Sequence, residues 1–191
     1  QQDALYQNAV KQAFDIANKI AGDFDGKKIF FKYRSQLETE GGTEIDIYAD
    51  DEIKTAAKVE IAERYNRNKH IVKYKSTYPA VEHLVMHEMV HLDFVLQART
   101  AQQNQVFTSD AANKHNFMKT MEAAIQKLRT RGLDDALITT FSEGIFNGLN
   151  LQTYNTPIDV FIEEFLYNDY AELRPYQFLW LYNWLEEVIR A

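Results

Sequence analysis

Residues 78–94 read Tyr-Pro-Ala-Val-Glu-His-Leu-Val-Met-His-Glu-Met-Val-His-Leu-Asp-Phe, and the fold can be worked outward from this stretch. Apolar side chains recur in it at helical spacing, which predicts one long helix. Pro79 suits the first position of that helix, where a missing backbone N–H costs nothing. The predicted apolar stripe consists of Val81, Val85, Met89, Leu92 and Leu96.

The same helix carries an H-E-x-x-H motif, His87-Glu88-Met89-Val90-His91. Positions i and i+4 of a helix lie one turn apart on one face, so His87 and His91 can reach the same metal ion. Glu88 lies about 100° around the helix from His87, which places its carboxylate beside such an ion. This arrangement is typical of zinc peptidases, in which zinc lowers the pKa of a water molecule and the glutamate takes its proton.

The chain before the motif is predicted to be rich in β-structure after one helix. Alternating and aromatic residues favour strands, and Gly41-Gly42 separates the first two of them. Asn66-Arg67-Asn68 marks the turn of a hairpin that immediately precedes the motif helix. The predicted elements are a helix over 3–21, strands over 28–35 and 43–48, and a hairpin of strands over 57–65 and 69–75.

The chain after residue 94 is predicted to be helical almost to its end. Gly132 can end one helix, and Thr156-Pro157 has the cap and proline order of a helix start. The last helix is apolar on most sides, so it is predicted either to be central or to form a partner surface. The predicted helices span 111–131, Asp134 or Asp135 to about Gly148, a segment that begins at Thr156-Pro157, and a segment that begins at Pro175.

These motifs resemble the zincin metallopeptidases, most closely the gluzincin branch, over residues 57–94 and more weakly over 156–175. The resemblance implies an α+β, zincin-like fold: a small N-terminal β-sheet with an edge strand before the HExxH helix, followed by a mostly helical C-terminal half. It also implies that the third metal ligand is a glutamate on a later helix. An extended substrate would pair with the edge strand, for which 57–65 and 69–75 are the candidates.

Two histidines do not complete a catalytic zinc site, which takes three protein ligands and a water molecule. The helix after Thr156-Pro157 offers Glu163 and Glu164. Glu163 lies about a quarter turn from the apolar direction of that helix, whereas Glu164 lies almost opposite that direction. A carboxylate that borders the core needs a cation, so Glu163 is the predicted third ligand. Glu122, Glu164, His115 and Glu143 remain alternatives.

His83 lies one turn before His87 and is predicted to point the same way. Three histidines at i, i+4 and i+8 of one straight helix cannot all converge on one tetrahedral ion, because the helix rises about 1.5 Å per residue. His83 is therefore predicted to line the cleft or to support a ligand. His70 lies on a predicted strand and is interpreted as structural.

Composition limits the remaining possibilities. The 191 residues are 46% hydrophobic and 26% charged, which is ordinary for a folded chain, and they contain no cysteine. The metal must therefore be held by histidine and carboxylate groups. The net charge of −7 argues against nucleic-acid binding, and no apolar run has membrane-spanning length. One domain is predicted over 1–191, with an N-terminal helix at 1–22, a β-rich part at 28–76 and a helical part, which carries the metal site, at 78–191.

Two functions follow from this pattern. The first is zinc-dependent hydrolysis of a peptide or protein substrate, with zinc on His87, His91 and Glu163 and with Glu88 as the general base. The alternative is a non-catalytic zincin-like binding module of a larger protein, for which the aromatic C-terminal helix would provide a partner surface.

Overall fold

The computed structural model describes residues 2–23, 27–78, 80–103 and 109–190. It is an α+β structure with one small sheet and a mostly helical C-terminal half. Pro79, the predicted first residue of the motif helix, lies outside the described residues. The elements are α1 (Gln2–Asp23), α2 (Lys27–Gly41), β1 (Glu44–Ala49), β2 (Ala57–Glu60), β3 (Lys69–Tyr74), α3 (Val81–Thr100), α4 (Ala111–Thr120), α5 (Glu122–Thr130), α6 (Asp135–Asp169) and α7 (Arg174–Arg190), with 3₁₀ turns at Ala62–Tyr65 and Ala171–Leu173.

The chain contains two compact units. The first unit comprises Gln1–Asn104 and Phe161–Ala191, and it holds the sheet, the motif helix and α7. The second unit comprises Gln105–Val160, with α4, α5 and most of α6. That 1–191 forms a single domain stays a prediction.

The sheet has the order β1-β3-β2, with β3 parallel to β1 and antiparallel to β2. Ala57 pairs with Tyr74 and Glu60 with Ile71, so the predicted hairpin is confirmed. Its first strand is shorter than predicted, because the chain turns into a 3₁₀ helix at Ala62–Tyr65. The central position of β3 excludes 69–75 as an edge strand and leaves β2 in that role.

Helix α3 packs on β2 and β3 and also against α2 and α7. The predicted stripe residues Val85, Met89 and Leu92 are buried. Met86 and Val90 on other sides of the helix are buried as well, so α3 is more central than a one-sided stripe indicates. The core of the first unit thus surrounds the H-E-x-x-H motif and fixes the orientation of its helix.

His70 is buried in the sheet, and its Nδ1 accepts a hydrogen bond of 2.9 Å from the backbone N–H of Ala62. This contact joins β3 to the start of the 3₁₀ helix, in keeping with the structural role predicted for His70.

The strand predicted over 28–35 is wrong, because this segment belongs to helix α2. Its aromatic and β-branched residues favour a strand locally, but its buried residues Phe30, Tyr33 and Leu37 recur at helical spacing. Leu37 lies beyond the eight residues on which the strand prediction was based. The β-rich part of the chain therefore begins at β1 and not at residue 28.

Two helix boundaries in the C-terminal half also differ from prediction. The predicted helix over 111–131 is interrupted at Met121, between α4 and α5. The two helices predicted before Gly148 and after Thr156 are one continuous helix, α6, with Pro157 inside it. A proline interrupts the backbone hydrogen bonds of a helix, so the sequence favours a boundary there. The division between the two units falls within the same helix, after Val160.

Helix α7 begins at Arg174, one residue before the predicted start. It buries Tyr176, Gln177 and Leu179, whereas Trp184 and Leu185 are exposed. Helix α7 is therefore buried on one side only. That its exposed side forms a partner surface stays a prediction. Among the described residues, no helix is both long enough and apolar enough to cross a membrane.

A buried charge cluster gives a first prediction. Glu60 lies on β2 with a side chain only 5% exposed, and it pairs with Lys58 at 2.6 Å and Arg67 at 2.5 Å. The Lys58 hydrogen bond, with help from Arg67, holds the pKa of the Glu60 carboxyl below its usual value despite burial. Glu60→Gln should therefore lower the free energy of unfolding at pH 7 by about 1–2 kcal/mol.

The pH dependence of this effect has a fixed sign. Because the folded-state pKa of Glu60 is lowered, its contribution is present above the unfolded-state pKa and is lost as the pH falls through the folded-state value. Urea unfolding of wild type and Glu60→Gln should thus differ at pH 7 and converge in acid. An equal difference at both pH values would contradict the prediction.

Candidate metal centre

A carboxylate from α6 reaches the motif helix across a long stretch of sequence. Glu163 Oε1 lies 2.8 Å from His87 Nδ1 and 3.1 Å from His83 Nε2. The residues are 76 and 80 positions apart in the chain. Two helices that are distant in sequence therefore bring two imidazoles and one carboxylate to a single point.

The three side chains are largely shielded from solvent. The side chain of His83 is fully buried, that of His87 is 11% exposed and that of Glu163 is 17% exposed. Glu163 follows the buried Ile162 on α6, and Leu166 is buried one turn later. Glu163 thus borders the core, as its position relative to the apolar direction of the helix predicts.

Helix α7 adds two side chains to the cluster. The Gln177 amide donates to Glu163 Oε2 at 2.6 Å and to the Glu163 backbone carbonyl at 3.0 Å. The Trp180 ring lies against both imidazoles, with its centroid 5.4 Å from that of His83 and 5.9 Å from that of His87. Gln177 therefore occupies Oε2 and leaves Oε1 to face the histidines.

The cluster keeps Glu163 charged. Burial raises the pKa of the Glu163 carboxyl, but hydrogen bonds from His83, His87 and Gln177 outweigh burial and hold this pKa far below its usual value. Burial also lowers the pKa of His83, and the contact with Glu163 opposes this only in part. A neutral His83 that donates through Nε2 carries its lone pair on Nδ1, which finds no hydrogen-bond partner among the described residues.

The remaining motif residues lie on the same helix. The His91 ring lies next to that of His87, with centroids 4.9 Å apart and planes at 67°. His91 and Glu88 are both half-buried. The structure therefore brings Glu163 Oε1 to His87 and also to His83, which lies one turn earlier on α3. That His91 shares a metal ion with them stays a prediction.

The alternative third ligands lie in other surroundings. Glu164 is exposed on α6. His115 and Glu122 are exposed residues of the second unit. Glu143, also in the second unit, forms an ion pair of 2.7 Å with Lys114. Within the first unit, the structure places Glu163, and not the exposed Glu164, at His87.

The donor atoms of the cluster suit a divalent ion. The ligand atoms of His83, His87 and Glu163 all lie within 4.8 Å of one another. Tetrahedral zinc with nitrogen and oxygen ligands at about 2.0–2.2 Å holds those atoms about 3.3 Å apart. The distances from Glu163 Oε1 to the two ring nitrogens, 2.8 and 3.1 Å, are close to this value. Two imidazoles and a carboxylate are also a donor set found in catalytic zinc sites.

Sequence reasoning missed Gln177 and Trp180 and understated His83. The useful signal for Gln177 was its polarity within the otherwise apolar run from Tyr176 to Tyr182. A buried amide in such a run needs a polar partner. Nothing in the sequence identifies that partner as Glu163, because the contact depends on how α7 packs.

Comparison of the chain with family models, curated proteins and solved structures found no match.

Proposed function

We propose that this protein is a zinc-dependent peptidase with a zincin-like fold that uses Glu88 as its general base. The observation that carries the proposal is the approach of Glu163 Oε1 to within 2.8 Å of His87 Nδ1. A glutamate on a later helix is the third ligand that the gluzincin resemblance implies. Its arrival at the first motif histidine supports a metal-binding role for both residues.

His87, His91 and Glu163 are the proposed metal ligands. His87 and His91 share a face of α3 with their rings 4.9 Å apart, and Gln177 orients the Glu163 carboxylate. Bound zinc would act as a Lewis acid and lower the pKa of a water molecule. Three protein ligands leave the fourth position open, as catalysis requires.

Glu88 performs the proton transfers. It follows His87 directly and lies about 100° around α3 from it, which places its carboxylate beside the ligands and not among them. Glu88 accepts a proton from the water molecule that attacks the scissile carbonyl. It then delivers this proton to the leaving amine as the peptide bond breaks.

The sheet has an edge strand that a peptide substrate could pair with. Strand β2 is an antiparallel edge strand that packs against α3. An extended peptide can add to such an edge through main-chain hydrogen bonds. An edge strand before the motif helix is also what the gluzincin resemblance implies.

A second candidate function is a zincin-like module that binds a partner without cleaving it. The exposed apolar face of α7 favours it, because Phe178, Leu181, Trp184 and Leu185 are all at least 37% exposed. The intact Glu88 argues for catalysis instead, since a binding module has no need of a general base.

Cleavage of a diverse peptide library separates the two functions. The peptidase should release new amino termini, lose this activity with a zinc chelator and regain it on addition of zinc. The His87→Ala variant, prepared in the same way, should not regain cleavage activity on addition of zinc. It therefore controls for contaminating proteases. Absence of chelator-sensitive cleavage by zinc-loaded protein would contradict the peptidase function.

Gln177 gives a prediction for the metal site. Gln177→Leu removes the donor to Glu163 Oε2, so the carboxylate loses one of the contacts that fix its orientation. Groups that orient a ligand change metal affinity by about 10–100-fold, and zinc affinity in competition with a chelator should fall by this amount. Gln36→Leu is the matched control, because Gln36 donates to the carboxylate of Glu40 in an exposed part of α2. Unchanged zinc affinity in folded Gln177→Leu would contradict the prediction.

A further inference from the structure

Glu163 Oε1 contacts two histidines of α3, His83 and His87. His83 Nε2 and His87 Nδ1 both lie within hydrogen-bond distance of this one oxygen. These atoms and Glu163 Oε1 lie within 4.8 Å of one another and form a complete set of three donors. His91 is not a member of this set, although its ring is adjacent to that of His87.

We propose that His83, His87 and Glu163 form a second ligand set for the same divalent ion, in which His83 takes the place of His91. The inference rests on the proposed metal-dependent function. Because His87 and Glu163 belong to both sets, one ion can occupy either set but not both. The ion therefore has two alternative positions on the two sides of His87.

Helix geometry shows why three histidines create two positions and not one. His83 and His91 each lie one turn from His87, in opposite directions along the axis, at a rise of about 6 Å per four residues. A tetrahedral ion with bonds of about 2 Å cannot span the two turns from His83 to His91. His87 can therefore share an ion with only one neighbour at a time.

The position on the His83 side is unsuited to catalysis. Glu88 lies three residues before His91, about 60° from it around the helix, but five residues after His83 and about 140° from it. An ion between His83 and His87 is therefore on the far side of His87 from the general base. The distribution of the ion between the two sets would control how much of the protein is active.

Burial supports the same assignment. The His83 side chain is fully buried, and Trp180 lies against the rings of both His83 and His87. These contacts restrict the approach of a substrate to an ion held by His83. His91 is half-buried, so the position on its side is the more accessible one. Gln177 donates to Glu163 Oε2 and leaves Oε1 for either set.

Zinc binding by histidine variants tests the inference. Loss of one of three ligands should weaken zinc binding by about 10²–10³-fold, judged from the total affinity of protein zinc sites. If His83 replaces His91 as a ligand, the His91→Ala variant should lose less zinc affinity than this and should still bind one zinc ion. The double variant His83→Leu/His91→Ala retains only two ligands and should show the full loss.

The comparison is a double-mutant cycle measured by competition with a zinc chelator. His83→Leu should cost more in the His91→Ala background than in the wild type, because the two histidines substitute for each other. His115→Ala removes an exposed histidine and serves as the control. Equal costs in both backgrounds, or His91→Ala binding as weakly as the double variant, would overturn the inference.

A second measurement needs no change at the buried His83. The ring nitrogen signals of His83 in His91→Ala should shift in NMR spectra when Zn²⁺ is added, and unshifted signals would overturn the inference. Wild type that binds no zinc would remove both proposals. Wild type that binds zinc without cleaving peptides would remove the peptidase function alone, because the cycle does not measure activity.

Discussion

Replacement of Glu88 by Gln should abolish peptide hydrolysis while zinc stays bound. Glutamine keeps the size of the side chain and its position beside His87, but it cannot accept a proton from water. General base catalysis contributes about 10²–10⁴-fold to a rate, so kcat/KM should fall by at least this factor. Zinc stoichiometry should stay at the wild-type value, because Glu88 is not a proposed ligand.

Glu82→Gln is the matched control for this experiment. Glu82 lies in the first turn of the same helix α3, and its replacement removes one negative charge without touching the motif. The decisive comparison is therefore between zinc content and kcat/KM for each variant. Wild-type kcat/KM in zinc-loaded Glu88→Gln would exclude Glu88 as the base, whereas loss of zinc would make it a ligand.

Helical periodicity predicts on which face of its helix each candidate site residue lies. The spacing from Val81 to Leu96 identified α3, and the position of Glu163 relative to its apolar neighbours distinguished it from Glu164. Both inferences depend only on the face of a helix on which a side chain lies, and a 3.6-residue period determines this locally. The contact between Glu163 and His87 agrees with them, although the identity of the third ligand in solution stays a prediction.

The parts that sequence did not predict depend on packing between elements. Which neighbour of His87 shares the Glu163 oxygen with it cannot be read from spacing, because His83 and His91 both lie one turn from His87. The answer comes from Glu163 and Trp180, which are brought to His83 by α6 and α7. The wrong prediction of a strand within α2 also reflects packing between elements. The composition of the segment suits a strand, and the helix is recognised by its burial of Tyr33 and Leu37 at helical spacing.

The three helices of the site have different tasks. Helix α3 supplies the histidines and the proposed base, α6 supplies the carboxylate, and α7 supplies the groups that hold them. Gln177 bonds to both the side chain and the backbone of Glu163, so it connects α7 to α6 at the ligand itself. The position of α7 therefore determines the orientation of the Glu163 carboxylate at its Oε2 side.

Glu163→Ala should weaken zinc binding and abolish hydrolysis. The variant removes one of three proposed ligands, so zinc affinity should fall by about 10²–10³-fold and kcat/KM with it at limiting zinc. In metal-free protein the same change leaves the buried His83 Nε2 without its acceptor and removes one of the two acceptors of the Gln177 amide. The free energy of unfolding should therefore also fall, by about 1–3 kcal/mol.

Glu164→Ala is the control, because Glu164 is the next residue on α6 but is exposed. Glu163→Gln separates the two effects: it retains a side-chain oxygen for the histidines but replaces a carboxylate by an amide, which is a much weaker zinc ligand. Stability should be restored in part in Glu163→Gln, because the oxygen that faces the histidines is kept but the one that accepts from Gln177 becomes an NH2 group. Zinc affinity should not be restored. Recovery of zinc binding in Glu163→Gln, or unchanged binding in Glu163→Ala, would show that this carboxylate organises the fold and does not hold the metal.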